Sequence, residues 1–218
     1  MFIGHYGPAL AGKSIARAVP LWAFFLAVQF VDVLWGIFVA NGIEHVRIVP
    51  DFTDANPLDL YDMPITHSLP GALGWSVLAG LVWALVSPKQ KRIGGIAIAL
   101  AVFSHWILDL IVHVPDLELW PGGLRVGFGL WNNYPVALAV EFGVLLAGFA
   151  LYLRVTEAKG LIGRIWPWVF MALLALAEYA NHTTPVPDDF TTAGYMGTIT
   201  FLIIAALAAI CDLTRRTR

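Results

Sequence analysis

Residues 93–114 read IGGIAIALAVFSHWILDLIVHV, an apolar run that contains two histidines and one aspartate. At 1.5 Å per residue, a helix of this length crosses the hydrocarbon core of a bilayer, which is about 30 Å thick. His105, Asp109 and His113 follow one another at intervals of four residues, so their side chains share one face of that helix. The run therefore predicts a transmembrane helix that carries a stripe of ionisable groups.

Other apolar runs of similar length flank this one on both sides. The chain is 59% apolar and only 13% charged, whereas roughly a quarter of the residues in a soluble domain are charged. We therefore predict an all-α fold, a polytopic membrane helix bundle of about six transmembrane helices that forms a single domain over residues 1–218. The predicted spans are 20–41, 66–86, 93–114, 134–153, 165–180 and 193–213, of which the fifth is the shortest.

Cationic residues are distributed unevenly between the two sets of loops that these spans create. Of the 13 Lys and Arg residues, all except Arg47 and Arg125 fall on the side of the two termini. Loops rich in Lys and Arg stay in the cytoplasm, so both termini are predicted to be cytoplasmic and the protein is predicted to be a multi-pass protein of the inner (plasma) membrane. The cations on that side are Lys13, Arg17, Lys89, Lys91, Arg92, Arg154, Lys159, Arg164, Arg215, Arg216 and Arg218.

Net charge and cysteine content argue against a nucleic-acid-binding protein and against a protein held together by internal disulfides. A formal net charge of -2 offers no basic surface for nucleic acid. The single cysteine, Cys211, cannot form an internal disulfide.

The first apolar run is too long for the core of a signal peptide and contains Asp32, so we predict that it is a retained span. The lipid bilayer is the predicted partner, and the oligomeric state stays open.

Ionisable residues recur at similar depths in the predicted spans. A charged side chain near the middle of a bilayer costs at least about 2.5 kcal/mol, so residues of this kind are functional candidates. With the predicted orientation, they lie at mid-depth or in the outer leaflet, on several different helices. They are Asp32, His67, His105, Asp109, His113, Glu141, Glu178 and His182.

The types of side chain in this set predict a metal site. Imidazole and carboxylate groups are the ligands that suit zinc and related divalent metals. His105, Asp109 and His113 would supply ligands from one helix, and His67 or Asp32 would complete the site from another. The alternative interpretation is structural, because a His and an Asp one turn apart can also hydrogen-bond to each other or to backbone inside a bundle.

Two short motifs resemble those of a known family. THSL at 66–69 and SHWILD at 104–109 are similar to elements of the predicted inner-membrane metal-dependent hydrolases, the LexA-regulated, YdjM-like group. The resemblance covers roughly residues 1–155, with a hydrolase-like core at 20–155, and leaves 156–218 as two additional spans. It implies a metal site made of His5, Asp32, His67, His105 and Asp109.

His5 is the member of this set that the predicted topology places on the cytoplasmic side. It joins the other residues only if the N-terminal segment 1–19 folds back into the bundle as a short re-entrant helix. Such entry is allowed where protein covers the backbone. Otherwise the segment lies on the surface and His5 is a surface histidine.

The favoured hypothesis is a membrane-embedded metal-dependent hydrolase that acts on a lipid-linked or small amphipathic substrate from the outer-leaflet side. Zinc would lower the pKa of a water molecule and polarise a carbonyl or phosphoryl group, with Glu141 or Asp32 as the general base. The first alternative is an ion- or proton-coupled transporter, because chains of Asp, Glu and His form ion pathways. The second is a non-enzymatic membrane protein whose polar cluster is structural.

Overall fold

Helices make up most of the chain in a computed structural model, which describes residues 1–87 and 90–218. The fold is all-α, as predicted. The helices are α1 (Tyr6–Ile15), α2 (Leu21–Val28), α3 (Phe30–Ala40), α4 (Leu69–Val86), α5 (Lys91–Val112), α6 (Tyr134–Val155), α7 (Leu161–Thr183) and α8 (Phe190–Thr214). Short 3-10 helices cover Ile3–His5 and Leu130–Asn132.

The strands form antiparallel pairs in the connections between the helices. β1 pairs with β2, β3 with β4, and β5 with β6. The first two pairs lie at one end of the bundle and the third lies at the other end, next to the C-terminus. The strands are β1 (His45–Ile48), β2 (Leu58–Asp62), β3 (Leu117–Glu118), β4 (Arg125–Val126), β5 (Thr156–Ala158) and β6 (Arg215–Thr217).

Helices α4 to α8 are each long and apolar enough to cross a membrane. Helices α2 and α3 pass the same test as a pair, so the described residues contain five or up to six spans. Large apolar side chains on the outer faces, such as Leu81, Leu85 and Leu146, are exposed. An apolar surface of this extent is typical of helices that face lipid.

The first span is broken, whereas the sequence predicted one continuous helix over 20–41. Helices α2 and α3 are bent by 51°, and Gln29 between them has φ -105° and ψ 8°. The buried side-chain amide of Gln29 donates to the hydroxyl of Tyr6 at 3.4 Å. Just before the break, the carbonyl of Val28 lies 2.7 Å from His105 Nδ1. The bend therefore brings a polar stretch of the first span against α5.

The N-terminal segment is folded into the bundle, as the re-entrant interpretation expects. Helix α1 packs along α6, and the two backbones touch where Gly7 faces Gly148, since a Cβ on either glycine would overlap the other helix. At the far end of α1, Lys13 Nζ lies 3.5 Å from Asp212 Oδ1. This arrangement puts His5 in the protein interior, where it is fully buried.

The fifth predicted span is longer than expected. The sequence placed it at 165–180, but α7 runs from Leu161 to Thr183 and contains Pro167. The other predicted spans agree with α4, α5, α6 and α8 to within about three residues, which is the usual uncertainty of helix ends.

Several cations of the predicted cytoplasmic side meet at one end of the bundle. Arg17 hydrogen-bonds to the carbonyl of Arg218, and Arg216 pairs with Glu157 at 2.6 Å. Lys89, which belongs to the predicted cytoplasmic set, lies outside the described residues. That this end faces the cytoplasm stays a prediction.

Candidate metal centre

Five of the seven predicted site residues meet inside the bundle. His5 ends the first 3-10 helix, Asp32 lies in the first turn of α3, and His67 lies in the turn before α4. His105 and Asp109 are one helical turn apart in α5. Four of the five side chains are almost completely buried, whereas that of Asp32 is 19% exposed. Separate regions of the chain thus converge on one point.

Two imidazole nitrogens of this cluster lie near the same two carboxylate oxygens. His105 Nε2 lies 2.9 Å from Asp109 Oδ2 and 3.4 Å from Asp32 Oδ1. His67 Nε2 lies 3.9 Å and 3.3 Å from the same two oxygens. Around zinc with ligands at about 2.0–2.1 Å, neighbouring ligand atoms are about 3.3–3.4 Å apart. The ligand atoms of Asp32, His67 and His105 lie within 4.8 Å of one another, so these three residues could hold a metal ion. Together with Asp109, which lies beside both imidazoles, we call these residues the metal tetrad.

The ring of His105 is oriented by a backbone carbonyl. Its Nδ1 lies 2.7 Å from the carbonyl oxygen of Val28, which can only accept, so Nδ1 carries a proton. In the neutral ring, Nε2 then has a free lone pair directed into the tetrad. Although two carboxylates are close, Nε2 has no hydrogen-bond partner. This is the arrangement that a metal-binding histidine requires.

A buried hydrogen-bond chain orients the ring of His67. The hydroxyl of Thr66 donates to Glu44 Oε2 at 2.6 Å and lies 2.8 Å from His67 Nδ1. Because the only hydroxyl proton goes to the carboxylate, Nδ1–H donates to Thr66 Oγ1 and leaves Nε2 free. Trp106 Nε1 also donates to the carbonyl of His67 at 2.9 Å. The residues of the two sequence motifs are thus joined in space.

Glu44 is a functional candidate that the sequence did not reveal. It is 1% exposed and accepts hydrogen bonds from the backbone N–H groups of Ile65 and Thr66 at 2.8 and 2.9 Å. It therefore holds the turn that carries His67. The available signal was the Thr that precedes this histidine, since a metal-bound His is commonly tethered to a carboxylate through its second nitrogen.

The second oxygen of Asp109 faces a different set of groups. Asp109 Oδ1 lies 3.1 Å from His5 Nε2 and 3.7 Å from His113 Nε2, and it accepts a hydrogen bond from the Met1 amine at 2.7 Å. His113 Nδ1 is 2.8 Å from Asp116 Oδ1. His113, predicted as a ligand, therefore approaches the centre from the far side of Asp109 and does not face the tetrad.

His5 lies against two residues of the metal tetrad, His105 and Asp109. Its ring is stacked on that of His105 with a centroid separation of 3.9 Å and an interplanar angle of 8°. His5, His105 and Asp109 form a second group whose ligand atoms lie close enough to hold an ion. Since His105 and Asp109 also belong to the metal tetrad, His5 adjoins the tetrad ion position as a further donor.

Glu141, predicted as a general base, has another contact. Its Oε2 accepts hydrogen bonds from the backbone N–H groups of Phe2 and Gly4 at 2.9 and 3.1 Å. These bonds attach the start of the chain to α6. One oxygen of Glu141 is thereby occupied, while the side chain still lines the cavity beside the cluster.

A cavity of about 790 Å³ extends from the metal tetrad toward the end of the bundle that carries β1 and β2. Asp32, His67 and Asp109 form part of its wall, and Glu178 and His182 of α7 line it further out. The His182 ring is exposed and stacks on Tyr134, with centroids 3.8 Å apart. A small molecule can therefore reach the centre from one side of the bundle.

The fold and the site together define an all-helical protein that has five or up to six helices long and apolar enough to cross a membrane, and a buried His/Asp cluster, among the described residues. No family model, curated protein or solved structure matches the chain. The resemblance to the YdjM-like group accordingly depends on the two motifs alone, and it stays a prediction.

Proposed function

We propose that this protein is a membrane-embedded metal-dependent hydrolase related to the YdjM-like group, acting from the outer-leaflet side on a lipid-linked or amphipathic substrate. One observation carries this proposal. In the metal tetrad, the Nε2 atoms of two imidazoles face the same two carboxylate groups in the protein interior, while both Nδ1 atoms have partners on the opposite sides of the rings. A bound cation would be coordinated by both ring nitrogens and balance the buried carboxylate charge.

Zinc is the metal that the tetrad fits best. Two imidazole nitrogens and one carboxylate oxygen, with water in the fourth position, match its ligand preferences at a catalytic site. Calcium and magnesium prefer a larger number of oxygen ligands. When bound, such a metal supplies Lewis-acid activation of water and of the scissile group.

With His67, His105 and Asp109 as the zinc ligands, the fourth position is left for water, and Asp32 is better placed than Glu141 to act as the general base. The side chain of Asp32 is the most exposed in the tetrad, at 19%, and it lines the cavity. A water molecule in the cavity is therefore within reach of this carboxylate, as proton abstraction requires. Glu141 lies on the side of the N-terminal segment, where one of its oxygens accepts two backbone hydrogen bonds.

The transporter alternative has less support from the surroundings of the cluster. A path to the opposite end of the bundle would have to pass the core around α1 and α2, which is filled by Tyr6, Phe24 and Phe25. Tyr6 and Phe25 are stacked with centroids 4.7 Å apart. A cavity that opens on one side of a closed core is more typical of a binding pocket than of an ion pathway.

The metal content of the purified protein tests the proposal. We expect about one equivalent of zinc after purification without chelator, and at least a tenfold loss in His105→Ala and Asp109→Asn, since each ligand contributes directly to affinity. His45→Ala is the matched control, because His45 is exposed and pairs with Asp62 away from the centre. Wild-type protein without bound metal, even after incubation with zinc, would contradict the proposal.

A further inference from the structure

The wall of the cavity is rich in carboxylates. Asp32, Asp109, Glu141 and Glu178 all line it, and no Lys or Arg lies among the described residues that do so. The Met1 amine also reaches this wall and pairs with Asp109. A divalent ion in the tetrad together with the Met1 amine would balance three of these four carboxylates and leave one, with no cation left over for an anionic ligand. The cavity therefore disfavours an anionic headgroup, because a buried negative charge needs a cationic partner.

Glu178 provides an unused hydrogen-bond acceptor in this wall. Its side chain is 5% exposed, and its Oε2 has no hydrogen-bond partner. A buried carboxylate oxygen left unpaired is costly, so it is a position where a ligand donor is expected. A hydroxyl or an amide N–H of a bound molecule would satisfy it.

The cavity also opens sideways, between α7 and α8. Ala177 and Ala180 of α7 line it, and so do Met196, Gly197 and Phe201 of α8. Met196 is 54% exposed, so the wall at this point is continuous with the surface that faces lipid. Phe201 lies about 16 Å along α8 from its first residue, at the helical rise. The residues that line the cavity thus reach about the middle of α8.

We propose that the substrate is an uncharged lipid ester or amide that carries a hydroxyl or N–H donor, and that its acyl chain leaves the cavity between α7 and α8. The donor would hydrogen-bond to Glu178, and the acyl carbonyl would lie at the metal tetrad. In the reaction, the oxygen of water bonds to the acyl carbon and the carbon–oxygen or carbon–nitrogen bond breaks. One water proton goes to the departing alcohol or amine, which leaves a fatty acid. This substrate class rests on the hydrolase function proposed above.

Photocrosslinking in nanodiscs tests the binding mode without requiring turnover. The probes are a monoacylglycerol with a diazirine at the end of its chain and a lysophosphatidic acid with the same labelled chain. We expect the monoacylglycerol to label peptides of α7 and α8, and to do so about tenfold more strongly than the anionic probe. Glu178→Gln should remove most of this preference, while Glu157→Gln, at the opposite end of the bundle, should not.

A pair of glycine variants tests the lateral opening. A Cβ atom at Gly197 would meet only Phe201, at 4.0 Å, and a Cβ atom at Gly143 of α6 would meet nothing within 4 Å, so neither backbone position is blocked to a side chain. Gly197→Leu narrows the opening and should reduce labelling several-fold, whereas Gly143→Leu should leave it unchanged. If the labelling is unchanged in Gly197→Leu, or if it is stronger with the anionic probe, this inference would be overturned. Zinc content measured on the same samples reports separately on the hydrolase proposal.

Discussion

His67 and His105 are oriented by different partners on their Nδ1 atoms, and both present Nε2 to the same two carboxylates. For His105 the partner is the backbone at the break in the first span, and for His67 it is the Thr66–Glu44 pair. A ring that is already held in one tautomer and orientation binds a metal without a further free-energy cost of reorientation. At the scale of single residues, the hydrogen bonds that orient the two imidazole rings therefore support a metal site as much as the ligand atoms do.

The role of Thr66 and Glu44 leads to a first prediction. Thr66→Val and Glu44→Gln should each weaken zinc affinity by about 10–100-fold, because both interrupt the hydrogen-bond chain that orients His67. Competition with a fluorescent zinc chelator measures this affinity. Thr214→Val and Glu157→Gln, at the other end of the bundle, are the matched controls. Equal affinity in all four variants would show that the chain does not serve the metal.

A second prediction concerns pH. A metal ligand must be free of its proton, so protons compete with zinc for the two Nε2 atoms and the carboxylates. Zinc affinity should therefore fall as the pH is lowered, by about tenfold per pH unit for each proton displaced. Isothermal titration in two buffers of different ionisation enthalpy would reveal proton release on binding. Affinity that is independent of pH between 5 and 8 would disagree with ligation by histidine.

Most residues of the cluster could be predicted from the sequence, but the residues that surround them could not. Ionisable residues in apolar runs are conspicuous, and the four-residue interval of His105, Asp109 and His113 fixes their common face. The separation of His113 from the tetrad was not predictable, because both oxygens of Asp109 are used in different directions. Glu44 was overlooked since only the fold returns its loop to Thr66.

At the scale of elements, the two halves of the first span and the N-terminal helix position the site together. Helix α1 enters beside α6 because glycines remove the side chains at their closest approach, where Gly7 meets Gly148. Small residues commonly allow such close packing between membrane helices. The entry of α1 brings His5 to Asp109.

This packing leads to a third prediction. Gly148→Ala should destabilise the protein by about 1–3 kcal/mol, because the new methyl group overlaps the backbone of Gly7 and forces α1 away from α6. Thermal unfolding in detergent, followed by intrinsic tryptophan fluorescence, measures the loss. Gly143→Ala on the lipid-facing side of the same helix is the control, since nothing lies within 4 Å of the added atom. If both variants unfold at the same temperature, the contact is unimportant.

The lengths of the apolar runs predicted the helices well, but they contained no indication of the break at Gln29. Neither Pro nor Gly occurs there, and these residues are the usual sequence signals of a kink. The break follows from tertiary contacts, in which the buried amide of Gln29 meets Tyr6 and the carbonyl of Val28 meets His105. Contacts of this kind join regions far apart in the chain and are not encoded in local periodicity.

At the scale of the whole molecule, ionisable groups are separated along the bundle axis. The His/Asp cluster, its cavity and Met1 lie toward one end, and the cationic loops with the C-terminal segment lie toward the other. The aromatic and aliphatic core around α1 and α2 lies between them. This polarity supports chemistry that is open to one side of the membrane.

The orientation leads to a fourth prediction, which labelling of intact cells can measure. In a Cys211→Ala background, cysteines at the exposed positions Asp54 and Gly122 should react with a membrane-impermeant maleimide. A cysteine at the exposed position Arg216 should react only after the cells are permeabilised. The reverse pattern would place the cavity on the cytoplasmic side and would exclude a substrate from the outer leaflet.

The existence of the metal tetrad is the central claim, and anomalous X-ray scattering at the zinc edge tests it most directly. Crystals of the purified protein should show one strong anomalous peak at about 2.0–2.1 Å from Nε2 of His67, Nε2 of His105 and a carboxylate oxygen of Asp109. Crystals grown from zinc-supplemented protein that lack a peak there, or that show one only at a surface site, would contradict it.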